Sequence, residues 1–276
     1  MASKVMAYLP RKSVVHSLTG TTKLVTFFLF TLAGMLTYDT RVLVGLLVLS
    51  VGSFLLSKIK VREVQFVLWF TFAFLVLNNL FIFLFSPEQG VSIYGTRHVI
   101  VHLFGGYYLT QEQLFYMLNI TLKYFVAVPM ALLFISATNP SEFAASLASV
   151  GISYRIGYAV SIALRYIPDI QRDYHNISQA QQARGVELGS KEPLWTRAKN
   201  AVNILMPLIL SSISRIDVIS NAMELRGFGK HNKRTWYMHR KFAVRDYIVI
   251  LLAIAILAGS IVITVSNGSR FYNPFI

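Results

Sequence analysis

The chain has 276 residues, is 55% hydrophobic and only 14% charged, a composition far from that of an average soluble domain. With 26 Lys+Arg against 12 Asp+Glu its net charge is +14, which raises nucleic acid as a partner until the placement of the charges, described below, argues against it. Cysteine is absent, so disulfides, thiolate nucleophiles and thiolate metal sites are excluded.

The polar, basic N-terminal stretch leads into a long apolar run with no A-x-A cleavage pattern after it. It reads as a first membrane helix rather than a removed signal peptide. Five apolar stretches approach the ~20 residues that a membrane-spanning helix needs. The first two, 24–38 and 42–57, are short and form a tight hairpin around Tyr38-Asp39-Thr40-Arg41. The third, 64–85, is the strongest. Segment 86–113 mixes Gly90, Gly95, Gly105 and Gly106 with alternating apolar residues; an interfacial hairpin and a re-entrant element both fit it. The fourth stretch, 114–136, contains Lys123 and Pro129, and the fifth, 247–265, is clean.

Region 137–246 is too polar to span and too apolar for a linker. Asn139-Pro140-Ser141 opens a short helix through Ala148, ending near Gly151. A long helix is predicted over 154–184. Its apolar face is Val160, Leu164, Ile167, Ile170, Tyr174 and Ile177, at helical spacing, and the opposite face carries Arg165, Asp169, Arg172, Asp173 and Asn176. Arg165 and Asp169, four apart, are placed to pair. A second long helix is predicted over 193–226, with Pro193 suited to its first turn. Its face near the end is Ile209, Ile213, Ile216, Ile219 and Met223, with Ser211, Ser214, Arg215, Asn221 and Glu224 opposite. Pro168 and Pro207 should kink these helices, since proline removes a backbone donor and crowds the preceding turn.

Basic residues orient the chain. With the N-terminus inside, segments 1–23, 58–63 and 137–246 hold 22 Lys and Arg, and the outside loops hold only Arg41, Arg97 and Arg270. That asymmetry follows the positive-inside rule and accounts for the net charge without nucleic acid. The organisation is a four-span membrane region over 1–136, a cytoplasmic region over 137–246, and a fifth span with a short external tail over 247–276.

Each long cytoplasmic helix ends in the same way, at Ala183-Arg184-Gly185 and Leu225-Arg226-Gly227. Glycine after a helix and a cation in its last turn are common end signals, so ordinary capping accounts for one such end. Two matched ends on two proline-bearing helices read as two docking prongs. Arg offers a planar five-donor fork that fits a carboxylate bidentately, and Gly lets the chain turn away without bulk.

Other motifs carry less. The stretch Gly185-Val186-Glu187-Leu188-Gly189-Ser190-Lys191 and Gly227-Phe228-Gly229-Lys230 fail the phosphate-loop spacing, and the first follows a helix rather than a strand. His98 and His102 share a face, with no nearby acidic or Cys ligand in sequence to complete a metal site. His175, His231 and His239 lie in polar surroundings. Asn78, Asn79 and Lys123 fall within spans, where polar groups are costly. Hydrogen bonds between helices, with Lys123 snorkelling, account for them, and contact of Lys123 with a partner membrane protein is the other reading. Lys230, Lys233, Arg234, Arg240 and Lys241 form a juxtamembrane basic run suited to anionic lipid.

Three sets of residues carry a family resemblance. The first runs from Thr138-Asn139-Pro140-Ser141-Glu142-Phe143 through Ala163-Leu164-Arg165-Tyr166-Ile167-Pro168 to Ala180-Gln181-Gln182-Ala183-Arg184-Gly185. The second is Ala222-Met223-Glu224-Leu225-Arg226-Gly227-Phe228. The third is Ser13-Val14-Val15-His16-Ser17-Leu18 with Thr22-Lys23-Leu24. Over nearly its whole length the chain resembles the transmembrane T component of energy-coupling factor (ECF) transporters, the prokaryotic importers of vitamins and metal ions. Two departures are visible: Leu225 stands where the family usually has Ala, and Thr19-Gly20 where Asp-Pro is typical. The resemblance implies that the two tips dock into grooves on two ATP-binding-cassette (ABC) ATPases. It also implies that the helices hold a membrane-embedded substrate-binding S component, and that ATPase movement is passed to it.

The reading is an all-α polytopic membrane protein of about five transmembrane helices with long cytoplasmic amphipathic coupling helices. It is a non-catalytic scaffold and energy coupler, without a cofactor, partnered by two ATPases, an S component and the bilayer. A stand-alone secondary transporter would show paired intramembrane charges or broken helices at matching positions in two halves, and only Lys123 is charged in mid-span. A membrane-anchored lipid- or RNA-binding protein would depend on salt-sensitive phosphate contacts and would not need the Arg-Gly pair.

Overall fold

The computed structural model describes residues 8–102, 105, 107–186, 193–231, 236 and 240–275. Two compact units emerge, one formed by Met1–Asn139 with Arg240–Ile276 and the other by Pro140–His239.

The first unit begins with α1 (Gly20–Leu36) and α2 (Thr40–Leu56). Both start at side-chain caps: Thr19 Oγ1 accepts from the Thr22 N–H, and Asp39 accepts from the Arg41 N–H. Each has 17 residues, or roughly 25 Å of helix, slightly short of the hydrocarbon thickness. α3 (Val61–Phe85) follows, then a short α4 (Gln89–Tyr94), the strands β1 (Val99–His102) and β2 (Tyr108–Thr110), and α5 (Gln111–Ala137). After the second unit the chain returns as α9 (Val244–Ser266). The five predicted spans are thus α1, α2, α3, α5 and α9. The undecided segment 86–113 contains α4 and an antiparallel β1–β2 pair, a hairpin with an irregular register near Val99.

α5 is the centre of this unit. Val126 and Met130 pack with Phe30, Ala33 and Leu46 of the first hairpin, against Ile256 and Leu257 of α9. Leu132, Leu133 and Ala137 form a second cluster with Phe54 and Val64. Polar ties fix the ends. Asp246, fully buried, accepts from the Thr19 N–H at 2.8 Å, the Thr22 hydroxyl at 2.9 Å and the Ala243 N–H at 2.9 Å. It joins the start of α9 to the start of α1. At the other end Asn267 donates to Asp39 at 2.7 Å, and the Tyr38 N–H donates to the Arg270 carbonyl at 2.9 Å. α3 stands apart, with most of its aromatic side chains exposed and only Val64 and Leu75 buried.

The second unit holds α6 (Pro140–Ser149), α7 (Tyr154–Ala183) and α8 (Leu194–Leu225). α6 and α7 approach closely at Gly157, where a Cβ would lie 2.9 Å from the Ala144 carbonyl oxygen; only glycine fits there without a shift. In composition α8 is more apolar than a polar-region helix needs to be. Its Lys199–Leu225 stretch is apolar and long enough to cross a bilayer, as α3, α5 and α9 are, so this part of 137–246 is not too polar to span. The molecule is therefore an all-α polytopic membrane protein; among the described residues the strands are confined to the small hairpin, with one isolated bridge between Tyr38 and Phe271.

Candidate functional site

The ends of α7 and α8 adopt one geometry. Arg184 takes φ −87°, ψ 7°, and Arg226 takes φ −84°, ψ 9°. Each is followed by a left-handed glycine, Gly185 at φ 85° and Gly227 at φ 67°. Gly185 N–H donates to the Gln182 carbonyl and Val186 N–H to that of Gln181, both at 3.0 Å. Gly227 N–H donates to the Glu224 carbonyl at 2.8 Å and Phe228 N–H to that of Met223 at 3.0 Å. Both are Schellman caps, with a 6→1 bond enclosing a 5→2 bond. No atom lies within 4 Å of a Cβ built on either glycine, so conformation rather than space selects glycine here. The capping residues Arg184 and Arg226 are exposed, at the pole where the backbone dipole favours a cation. Leu225, beside the second Arg, is 90% exposed.

α7 and α8 run antiparallel. Gln181 near the end of α7 donates through Nε2 to the Asn203 carbonyl at 3.2 Å, Arg215 pairs with Asp173 at 2.6 Å, and the Phe228 ring lies tilted against that of Tyr158, 4.8 Å between centroids. Phe228 also meets Tyr154 edge-on at 5.7 Å, so the second tip is fastened beside the first turn of α7. Arg184 lies at the far end of the same helix. The tips are thus separated along the pair by roughly 40 Å, at 1.5 Å per residue.

The seam takes Ile216, Ile219 and Met223 from the predicted face of α8 and Ile170 from that of α7, and adds residues outside both faces. Ala159, Ala163 and Tyr166 of α7 face Arg215, Ile216 and Ile219 of α8 across a groove of about 370 Å³, and the Asp173–Arg215 pair closes it. Small residues let the backbones approach, and a cross-helix ion pair draws in part of what was read as the polar face. Ile167, Ile170 and Tyr174 of α7, and Ile209, Ile213 and Ile216 of α8, remain substantially exposed. Asp169 pairs with Arg172 instead of Arg165.

Pro168 and Pro207 lie inside continuous helices. Each removes the N–H that would bond four residues back. For Pro207 that acceptor is the carbonyl of Asn203, the same atom that receives Gln181 Nε2. Gln181 is also the residue whose backbone carbonyl closes the first cap. This link between one helix's proline and the other helix's tip escaped the sequence reading, although the i−4 position of a helical proline was a usable signal for an open acceptor.

Away from the tips, Lys123 Nζ donates to the Met35 carbonyl at 2.9 Å and sits 3.1 Å from the centroid of Tyr38, a bond between helices. Asn79 donates to Thr121 at 3.0 Å; the Oδ1 atoms of Asn78 and Asn79 are buried and unpaired among the described residues. His98 does have an acidic neighbour. Its Nδ1 lies 2.6 Å from Oε1 of Glu112, a residue distant in sequence and brought close by the hairpin. Glu112 is fully buried and also receives Thr96 Oγ1 and the His98 N–H. The His102 ring instead lies 4.7 Å from that of Tyr108. Residues 187–191 of the glycine-bearing stretch, and Lys233, Arg234 and His239, lie outside the described residues.

Comparison with known proteins agrees with this architecture. Residues 11–237 match the model of the CbiQ family, described as cobalt transport protein. The chain is 26% identical over 257 residues to the energy-coupling factor transporter transmembrane protein EcfT of Exiguobacterium sibiricum, covering 90% of this chain and 94% of that protein. It is 28% identical over 252 residues to the protein of that name from Lactococcus lactis, covering 88% and 91%. With the Staphylococcus aureus protein the figures are 29% over 258 residues, covering 90% and 92%. On the extent of the family match, and with the apolar helices and the paired long helices in place, the chain belongs to the CbiQ family of energy-coupling factor transporter transmembrane components.

Proposed function

We propose that the chain couples two ABC-type ATPases to a substrate-binding S component in an ATP-driven importer of vitamins or metal ions. It has no catalytic role of its own, and hydrolysis belongs to the ATPases. Arg184 and Arg226, with Ala183, Gly185, Leu225 and Gly227 around them, are the docking tips, one for each ATPase. The observation that carries this reading is the identity of the two caps in dihedral angles and hydrogen bonding. One local shape presented twice suits two partners with similar grooves. Arg in each cap supplies a fork for a carboxylate. The exposed apolar residues of α7 and α8 are the surface offered to the S component and to the membrane boundary, which also accounts for the apolar character of α8.

Replacing Arg184 or Arg226 by Ala removes a charge-assisted contact worth roughly 1.5–3 kcal/mol. Each change should weaken ATPase co-purification, and the double change should abolish uptake while the chain still inserts. A double variant that retains both ATPases and transports at the normal rate overturns the assignment. The orientation, N-terminus and 137–246 inside with the C-terminus outside, rests on the basic asymmetry. The chain lacks cysteine, so single cysteines at Ser149 and Ser269 can be probed with an impermeant reagent in intact cells. Only Ser269→Cys should react, and the opposite pattern refutes the orientation.

A further inference from the structure

A second site lies in the first unit, where the segment before α1, the last turn of α2 and the first turn of α9 meet at one end of the membrane helices. They line an open crevice of about 690 Å³. Its rim carries Lys12, Lys58 and Arg245, all exposed. Among the described residues no carboxylate pairs with any of the three. The one nearby ion pair is already closed: Arg11 Nη2 donates to both oxygens of Glu63, at 2.6 and 2.8 Å. Asp246, next to Arg245, is turned away, with its oxygens bound to Thr19, Thr22 and Ala243. The lining is therefore cationic by three charges.

The polar groups at its base are occupied. His16 Nε2 donates to the Leu9 carbonyl at 3.0 Å, and Nδ1 is hydrogen-bonded to the Ser13 hydroxyl at 2.7 Å. Ser17 Oγ donates to the Val14 carbonyl at 2.6 Å. What remains for a ligand is the cations and an apolar wall of Val14, Leu55 and Leu56, which are 66%, 67% and 62% exposed. Leu55 and Leu56 end an apolar membrane helix, so the wall runs from the hydrocarbon side toward the charges.

Lys58 supplies an independent observation. It has φ 59° and is the one non-glycine residue at positive φ among the described residues. It follows the C-cap of α2, where glycine is the usual choice. Arg11 holds this turn by donating Nη1 to the Lys58 carbonyl at 2.5 Å. A strained non-glycine residue held by its surroundings is a mark of a functional position. Here the strain puts an ammonium where a glycine would put nothing.

We propose that this crevice binds the headgroup phosphate of an anionic glycerophospholipid, with Lys12, Lys58 and Arg245 on the phosphate and an acyl chain along Leu55 and Leu56. Basic pockets at the ends of membrane helices suit such headgroups, and the adjoining apolar wall distinguishes a lipid from a free anion. The site is separate from the Arg-Gly tips, and its assignment does not depend on theirs.

The test is native mass spectrometry of the full-length chain in detergent, titrated with phosphatidylglycerol, cardiolipin or phosphatidylcholine. Wild-type protein should prefer the two anionic lipids. At about five-fold per cation near a membrane surface, K58Q/R245Q should weaken phosphatidylglycerol binding by about 25-fold. K60Q/R62Q removes two neighbouring charges outside the crevice and should change it less than two-fold. Lys58→Gly relieves the strained backbone, so it should fold at least as well as wild type by thermal melting and still bind about five-fold more weakly. Equal losses in the two double variants, or no preference for anionic lipid in the wild type, would overturn the proposal. Displacement of the lipid by millimolar inorganic phosphate would identify a free-anion pocket and would overturn it as well.

Discussion

Lys23 and Lys123 cap each other's helices. Lys23, in the first turn of α1, donates Nζ to the Ala137 carbonyl that ends α5, at 2.9 Å. Lys123, within α5, donates Nζ to the Met35 carbonyl in the last turn of α1, also at 2.9 Å. Carbonyls in a last helical turn lack intrahelical partners, and a cation there also meets the negative pole of the dipole. The two helices lie antiparallel, so each can supply the ammonium that the other's end needs. Both lysines are buried, and each ammonium donates to a carbonyl at the other helix's end.

Lys123→Met should therefore destabilise the first unit by roughly 1.5–3 kcal/mol, the range for a hydrogen bond to a charged group. Lys23→Met should do the same, and the double variant should lose more than either. Thermal unfolding of the purified chain in detergent measures this. An unchanged midpoint for both single variants would mean that the bonds contribute nothing net.

At the tips, Gly185→Ala and Gly227→Ala should each cost about 1–2 kcal/mol, the penalty of a left-handed conformation for an L-residue. Open space around both positions rules out a steric clash as the cause. Hydrogen exchange should speed up at the Val186 and Phe228 amides, which close the two caps, and stay unchanged in mid-helix. Equal protection in variant and wild type would show that the caps do not depend on glycine.

Pro207 offers a finer test. Pro207→Ala restores an N–H that competes with Gln181 for the Asn203 carbonyl. The helix α8 should become locally more stable while the end of α7 loosens, which exchange at 181–186 would detect. Gln181→Leu should loosen the same turn without altering α8. Should Pro207→Ala leave the end of α7 untouched, the Gln181 bond has no positioning role.

Asp39 predicts a pH response. Burial pushes its pKa up, but hydrogen bonds from the Arg41 side chain and backbone, the Arg41 charge and the Asn267 amide outweigh burial and leave it below the ordinary carboxylate value. A depressed folded pKa gives stability that is fully present above the unfolded value of about 3.9. That stability is lost as pH falls through the lower folded value. Asp39→Asn should destabilise the chain at pH 7 by roughly 1.5–3 kcal/mol, and the gap to wild type should close on acidification below about pH 4. A gap that persists at pH 2 would refute the linkage.

Much of this molecule was legible in the sequence for local reasons. Apolar run length located α1, α2, α3, α5 and α9. The Arg-Gly pairs located both helix ends, because a Schellman cap depends on a few consecutive residues and one left-handed glycine. What could not be read needed register between distant segments. Glu112 reaches His98 only through the β1–β2 hairpin, and Lys123 finds Met35 only once α1 and α5 are antiparallel. On α7 the seam departs from the predicted periodicity, because Ala159, Ala163 and the Asp173–Arg215 pair share the contact. Ile167 and Tyr174 of α7, and Ile209 and Ile213 of α8, stay exposed.

The antiparallel pairing of α7 and α8 has a consequence in symmetry. Two antiparallel helices with the same capped end are related, near their termini, by an approximate two-fold axis perpendicular to the pair. A half-turn about it carries Arg184 onto the place of Arg226 and Gly185 onto that of Gly227. Two similar partners arranged about a two-fold axis of their own could therefore each meet an equivalent end of one single chain. Asymmetry enters only through residues near the ends that do not match, such as Ala183 against Leu225. Exchanging those two side chains is the smallest change that would tell one partner from the other.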